Sequence, residues 1–185
     1  MPAPFTLREI SSAVAKAENR PDEERIFQQL KGATARGLLK HTDTYGPKGA
    51  LRFSLEEVAK ARLILRAVDS GMSGKALKDF ENGVRVETRK ALANGSHVIL
   101  SLSAAVSSVM DTNWLLEVVE TRGSHDEDTY GEPLHLISWL PNGARFGDTD
   151  PRDPEVGIPG KVIEEIRLIP FSKLIRPIFE VLETD

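Results

Sequence analysis

The sequence predicts an α+β fold, and three observations support this class. Capping boxes at Thr6 and Ser54, each with a glutamate three residues later, precede apolar residues at helical spacing. Residues 43–49 contain glycine and proline and are predicted to form a turn between two strand-like runs. After residue 95, short apolar runs typical of strands become common. We expect a helical, hairpin-bearing domain at 1–82, a linking helix at 83–95 and an acidic α+β domain at 96–185.

Composition and charge limit the classes of function. The 185 residues include no cysteine, which excludes disulfides, thiolate metal sites and cysteine nucleophiles. The start MPAPFTLRE does not resemble a secretory leader and no long apolar run occurs, so we expect a cytoplasmic protein without a membrane span. Residues 1–95 contain 17 Lys and Arg against 12 Asp and Glu, whereas the remainder contains 7 against 16. This asymmetry is typical of a part that faces nucleic acid joined to a part with another role.

The N-terminal elements follow from local signals. Helices are expected after Thr6, from Pro21 to Arg36, at 55–69 and after Ser73, with hairpin strands at 38–42 and 50–53. Gly71 suits the left-handed end of the third helix. The third helix also has a second apolar stripe of Ala59, Leu63 and Ala67, which we interpret as a docking face for the C-terminal part of the same chain or for a second subunit.

The second helix has an apolar face and an opposite face of long polar side chains. Its inward positions are Ile26, Phe27, Leu30 and Ala33. Arg25, Gln28, Gln29 and Arg36 lie opposite, and such side chains either reach base edges and phosphates or form a solvated surface. Gly32 falls on the same outward face, where a missing side chain lets a partner approach the backbone at a cost of about 1 kcal/mol in helix propensity.

Arg52-Phe53-Ser54, Glu57-Val58, Ile64 and Gly71-Met72-Ser73 together resemble the second half of a MerR-type winged helix-turn-helix domain. The likeness extends over about residues 5–80. It implies a DNA-binding transcriptional regulator whose second helix reads the major groove of double-stranded DNA and whose hairpin, the wing, contacts phosphates. The expected DNA-binding residues are Arg25, Gln28, Gln29, Arg36, Lys40, His41, Lys48 and Arg52.

Two features depart from the MerR pattern. The arginine and paired tyrosines common in such recognition helices are replaced by Arg25-Ile26-Phe27-Gln28-Gln29. No long coiled coil follows the domain, because residues 81–95 contain an Asn-Gly break. We still expect a homodimer, with a protein partner or a small effector bound through the C-terminal domain. The alternatives are an architectural or excisionase-like protein of a mobile element, and a winged-helix module that docks on another protein.

The C-terminal part reads as a small sheet with a closing helix. Strands are expected at 97–103, 114–121 and 134–140, an exposed loop at 141–160, a strand or helix at 161–169, and a helix at 171–182 that Pro177 kinks or shortens. His125 with Asp126, Glu127 and Asp128, or Asp148 with Asp150 and Asp153, match metal-binding patterns only loosely. Trp114 and Trp139 suit a core. No catalytic motif occurs, so we expect no enzyme activity, cofactor or metal.

Overall fold

The chain is α+β and its computed structural model describes residues 4–45, 49–91, 95–123, 134–144 and 161–184. The helices are α1 Leu7–Ala17, α2 Glu23–Ala35, α3 Leu55–Asp69, α4 Gly74–Val84, α5 Leu102–Ser107 and α6 Phe171–Thr184. The strands are β1 Asp43–Tyr45, β2 Ala50–Arg52, β3 Thr88–Ala91, β4 His97–Leu100, β5 Trp114–Gly123, β6 Leu134–Pro141 and β7 Lys161–Ile169. They divide into a first unit, Met1–Ser73 with Ser172–Asp185, and a second unit, Gly74–Phe171.

Capping residues set the starts of the first and third helices. The predicted capping box of α1 is confirmed, because Thr6 Oγ1 accepts from the Glu9 N–H at 3.2 Å and the Glu9 carboxylate accepts from the Thr6 N–H at 2.6 Å. Ser54 Oγ accepts from the Glu57 N–H at 3.3 Å at the start of α3. The Glu57 carboxylate accepts from the Lys40 N–H at 2.8 Å, so it also anchors the segment before the hairpin.

Three helices of the first unit end in the same way. Asn19, Gly37 and Gly71 follow α1, α2 and α3 with φ of +51°, +72° and +89°. In each case two N–H groups bond back to carbonyls of the last turn, as in a Schellman motif; after α3 these are Gly71 N to Val68 O and Met72 N to Ala67 O. The prediction for Gly71 is confirmed, and the tight ends allow short connections between the helices.

The hairpin of the first unit is displaced from its predicted position. The strand expected at 38–42 is wrong, because Leu38 and Leu39 are buried after the Gly37 turn and β1 begins only at Asp43. Asp43 pairs with Arg52 in the β1–β2 ladder. The burial of two leucines just after α2 outweighed their strand propensity. The chain therefore reaches the sheet later than the pattern suggested.

The third helix is buried on both of its apolar stripes. Ala59, Leu63 and Ala67, the stripe interpreted as a docking face, are as buried as the main face formed by Val58, Ala61, Ile64 and Leu65. The first unit also includes α6, whose Ile175, Ile178 and Phe179 are buried in turn. Packing within the chain, one of the two alternatives for the second stripe, is therefore correct.

The second unit contains a correction to the predicted linking helix. Residues 83–95 do not form one helix, since α4 ends at Val84 and Thr88–Ala91 is a strand that pairs antiparallel with β4. Residues 88–91 are a strand because they pair with His97–Leu100. The local sequence pattern does not reveal such a pairing. The helix α4, which the sequence assigned to the N-terminal domain, is part of this second unit.

An antiparallel sheet in the order β6-β5-β7 forms the main body of the second unit. The expected strands at 114–121 and 134–140 are confirmed, and 161–169 is a strand. Trp139 packs edge-to-face on Trp114 at 6.4 Å and on Phe171 at 4.9 Å between ring centroids, so both tryptophans are core residues as expected. The closing helix α6 continues through Pro177 to Thr184.

Candidate nucleic-acid interface

The apolar face of α2 is fixed against its neighbours in the first unit. Ile26, Leu30 and Ala33 are buried, as the helical spacing predicted. Phe27 is only half-buried and lies beneath the Arg8 guanidinium, whose carbon is 3.7 Å from the ring centroid. Arg8 of α1 also forms an ion pair of 2.6 Å with Glu24 of α2. The orientation of α2 is thus set by burial on one side and by a stacked arginine beside it.

A charge network holds the turn between α1 and α2. Arg20 donates from Nε to Asp22 Oδ1 at 3.0 Å and from Nη2 to Asp22 Oδ2 at 2.9 Å. Its Nη1 atom lies 3.4 Å from Asp69 at the end of α3 and 3.5 Å from Glu18. Glu18 also pairs with the buried Arg62. Hydrogen bonding from Arg20 is the main reason that the pKa of Asp22 is lowered, and the network connects the start of α2 to α3.

The outward face of α2 is where the sequence placed four DNA-binding residues. Arg25, Gln28 and Arg36 are exposed, whereas Gln29 is half-buried. Gln29 Oε1 is buried and has no hydrogen-bond partner among the described residues. Arg36 lies just beyond the last turn and donates from Nε to the Gly32 carbonyl at 3.2 Å. Three of the predicted residues therefore belong to one helix whose other side is packed, and the fourth, Arg36, is its C-cap.

The first turn of α2 is acidic, and this affects the same face. Glu24 is exposed and accepts a hydrogen bond of 2.7 Å from Gln28. The hydrogen bonds from Gln28 and Arg8 hold the pKa of Glu24 below its usual range. A carboxylate at this position repels phosphate and engages the Gln28 amide. Apart from Arg25, which lies in the same first turn, the cationic surface of α2 lies towards its middle and its C-terminal end.

Sequence reasoning omitted Lys31 from this face. Lys31 is an exposed cation of α2, and its charge contributes to the lowered pKa of Glu24. The signal that could have found it was simple, because Lys31 lies two turns after the acidic start on the side away from Ile26 and Ala33. With Arg25 and Arg36 it gives α2 three exposed basic residues.

Two exposed side chains lie in the segment that leads into the hairpin. Lys40 and His41 are both exposed in the segment between α2 and β1. The Lys40 main chain is anchored by Glu57, which also forms a 2.6 Å ion pair with the buried ammonium of Lys60. The Lys40 side chain can therefore face a ligand from a fixed backbone position. Lys48, the residue predicted at the tip of the wing, lies outside the described residues.

Arg52 has a structural role that the sequence did not reveal. Its side chain is only 24% exposed, and Nη1 donates to the Pro4 carbonyl at 2.9 Å and to Glu9 Oε2 at 3.3 Å. Phe5 and Phe53 form an isolated antiparallel bridge beside it. Arg52 thus joins β2 to the N-terminal segment and to α1. Its contact with phosphate stays a prediction, because these partners occupy part of its donor capacity.

The charge contrast persists when it is counted over the compact units. The first unit contains 14 Lys and Arg against 12 Asp and Glu, whereas the second contains 10 against 16. The first unit is thus less basic than residues 1–95 alone, since it includes α6 and excludes the basic residues of α4 and β3. The electrostatic support for nucleic-acid binding is correspondingly local and comes from α2 and the segment before β1.

Other predicted sites fall mainly outside the described ranges. The acidic segments around His125 and around Asp148 to Asp153 are both outside them. Within those ranges, no three His, Asp or Glu side chains come together as a metal site. None of the helices described here combines the length and the apolar character that a bilayer-spanning segment needs.

Comparison of the chain with protein-family models and with curated proteins found no match. The resemblance to MerR-type domains therefore depends on the residues quoted for it.

Proposed function

We propose that this chain is a sequence-specific DNA-binding transcriptional regulator that reads double-stranded DNA with α2. The observation that carries the proposal is that α2 has one buried apolar face and one exposed polar face. Its inner face is buried, while Arg25, Gln28, Lys31 and Arg36 project from the exposed face. A helix held in this way can enter a major groove without rearrangement of the core.

The hairpin following α2 supports the same proposal. In a winged helix-turn-helix, the recognition helix reads bases and the wing contacts the sugar-phosphate backbone. Here Lys40 and His41 are exposed immediately before β1 and would serve the second role. The wing assignment and the MerR-type relationship are parts of this proposal.

The acidic start of α2 favours a particular docking mode. Because Glu23 and Glu24 lie in the first turn, phosphate contacts at that end would be unfavourable. We expect Arg25 and Gln28 to read base edges, and Lys31, Arg36 and Lys40 to contact phosphates.

The second unit would provide the regulatory part of a cytoplasmic homodimer. It carries the net negative charge and the β6-β5-β7 sheet. Dimerisation, effector sensing or contact with a partner protein are the roles we assign to it as a group. A symmetric dimer would bind half-sites separated by about 34 Å, one turn of B-DNA, or a multiple of it.

Selection of bound duplexes from a random pool by the full chain tests the proposal. Enrichment of a motif is expected, and each of Arg25→Ala and Gln28→Ala should flatten preference at its own positions by about 1–3 kcal/mol. Arg36→Ala and Lys40→Ala should weaken binding to all sequences alike and reduce the salt slope by about 1 each. Lys173→Ala removes an exposed charge from α6 instead and is the matched control.

The outcomes separate the alternatives. Retention of duplex without sequence preference but with strong bending would identify an architectural or excisionase-like protein. Absence of any retention at low salt, together with a stable partner protein, would assign a docking module and overturn the proposal. Equal losses for Lys173→Ala and Lys40→Ala would contradict the assigned surface.

A further inference from the structure

Among the glycines whose surroundings the structure describes, Gly32 alone has no structural reason to be glycine. Gly37, Gly49, Gly71, Gly74, Gly95 and Gly143 have positive φ, where other residues are strained. Gly83 has no room for a side chain, since a Cβ there would meet Ile137 at 2.5 Å. Gly32 has neither property, because its φ is not positive and a Cβ built on it meets no atom of the described residues within 4 Å.

Helix stability opposes glycine at this position. Gly32 is an interior residue of α2, where glycine lowers helix stability relative to alanine because it loses more backbone entropy on folding. Alanine would fit the space and favour the helix. The reason for a glycine at residue 32 therefore lies outside the packing of this chain.

The side chains around Gly32 indicate what that reason is. Gln29 and Arg36 lie one turn before and one turn after it on the same stripe of α2. The Arg36 guanidinium is held at the Gly32 carbonyl by its Nε hydrogen bond of 3.2 Å. Gln29 is half-buried and its Oε1 atom is buried, so Arg36 is the side chain on this stripe that a ligand can reach. A bare section of backbone is thus flanked by a cation and an amide.

We infer that Gly32 is where a DNA duplex comes closest to α2, and that Arg36 is placed to bind it at that point. The inference rests on the proposed function. It adds that the size of the side chain at residue 32 limits the affinity for the duplex. A duplex in van der Waals contact with the helix backbone leaves no space for a β-carbon. A larger side chain would hold Arg36 away from the duplex.

The test compares Gly32→Ala and Gly32→Leu with the unchanged chain on the duplex selected above. Gly32→Ala should melt about 2–4 °C higher or unchanged, because the helix gains propensity and the added β-carbon displaces no described neighbour, and Gly32→Leu is melted beside it. Affinity should nevertheless fall, by roughly tenfold for alanine and further for leucine, the larger side chain. A variant that is more stable but binds less well cannot owe its loss to misfolding.

Ser103→Leu is the matched control, since it adds bulk at an exposed helical position of α5 in the second unit. Its affinity should equal that of the unchanged chain. If Gly32→Leu binds the selected duplex with unaltered affinity, this inference is wrong while DNA binding stands. If the unchanged chain retains no duplex at all, the proposed function fails and the inference fails with it.

Discussion

The backbone of Gly83 in α4 packs directly on the side chain of Ile137 in β6. A β-carbon on Gly83 would lie 2.5 Å from Ile137 Cγ1, which is closer than carbon atoms approach each other, and 3.3 Å from its Cβ, which is a tight contact. Ile137 cannot avoid the clash by rotating a flexible end, because both atoms are close to its main chain. The absence of a side chain at residue 83 therefore sets how closely α4 approaches the sheet.

Gly83→Ala should destabilise the chain despite the better helix propensity of alanine. We expect a loss of about 1–3 kcal/mol in the free energy of unfolding, as for overpacked cores. Urea denaturation measures it. Gly32→Ala, which adds the same methyl group in open space, is the control and should not destabilise. Combining Gly83→Ala with Ile137→Ala should cost less than the sum of the single changes, and full additivity would contradict the clash.

Glu81 should be far more sensitive to substitution than its partner Lys78. The Glu81 side chain is fully buried and pairs with Arg85 and with Lys78, the latter at 2.8 Å. Glu81→Ala would leave the half-buried Arg85 without this carboxylate, and we expect a loss of about 3–5 kcal/mol. Lys78 is 47% exposed, so Lys78→Ala should cost no more than about 1 kcal/mol. Equal losses for the two variants in chemical denaturation would refute this ranking.

Arg52→Ala should affect folding as well as binding. It removes a charge-assisted hydrogen bond to the Pro4 carbonyl and an ion pair with Glu9, and we expect a loss of about 1 kcal/mol in stability. Lys40→Ala changes an exposed side chain and should stay within about 0.5 kcal/mol. Thermal melting of both variants before any DNA measurement separates the structural role of Arg52 from a phosphate contact. Identical melting curves would remove the structural role assigned to Arg52.

The Arg20–Asp22 pair should contribute stability only above acid pH. The pKa of Asp22 is lowered by its hydrogen bonds from Arg20. A carboxyl group with a lowered pKa in the folded state contributes stability that is present above its unfolded pKa of about 3.9 and is lost as the pH falls through the folded value. Asp22→Asn should therefore melt at a lower temperature at pH 7. The difference should shrink below about pH 4, and a difference independent of pH would contradict the linkage.

Local signals in the chain predicted local structure, and non-local contacts account for the rest. The box at Thr6 and the turn at Gly71 depend on neighbouring residues, so both were readable from the sequence. The strand at 88–91 depends on a partner strand, and the structural role of Arg52 depends on residues more than forty positions away. The outward face of α2 was predictable because helical periodicity fixes it, although the engagement of Gln28 by Glu24 was not.

Gly32 and Gly83 also show that sequence alone does not reveal non-local contacts at single residues. Both are interior glycines of helices, and their sequence contexts do not distinguish a required glycine from a dispensable one. The position of Ile137 explains why residue 83 is a glycine. The packing of the described residues does not explain a glycine at residue 32, and we therefore attribute it to a bound ligand.

The first unit is assembled from two stretches of chain, residues 1–73 and α6, with the whole second unit inserted between them. During synthesis the ribosome therefore delivers every residue of the inserted unit before α6 emerges. The inserted unit is continuous and has all its strands by residue 171, whereas the outer unit must wait for its last helix. Translation thus completes the first unit last, when α6 is made, and a shortened chain ending at residue 82 would lack α6 and leave that unit incomplete.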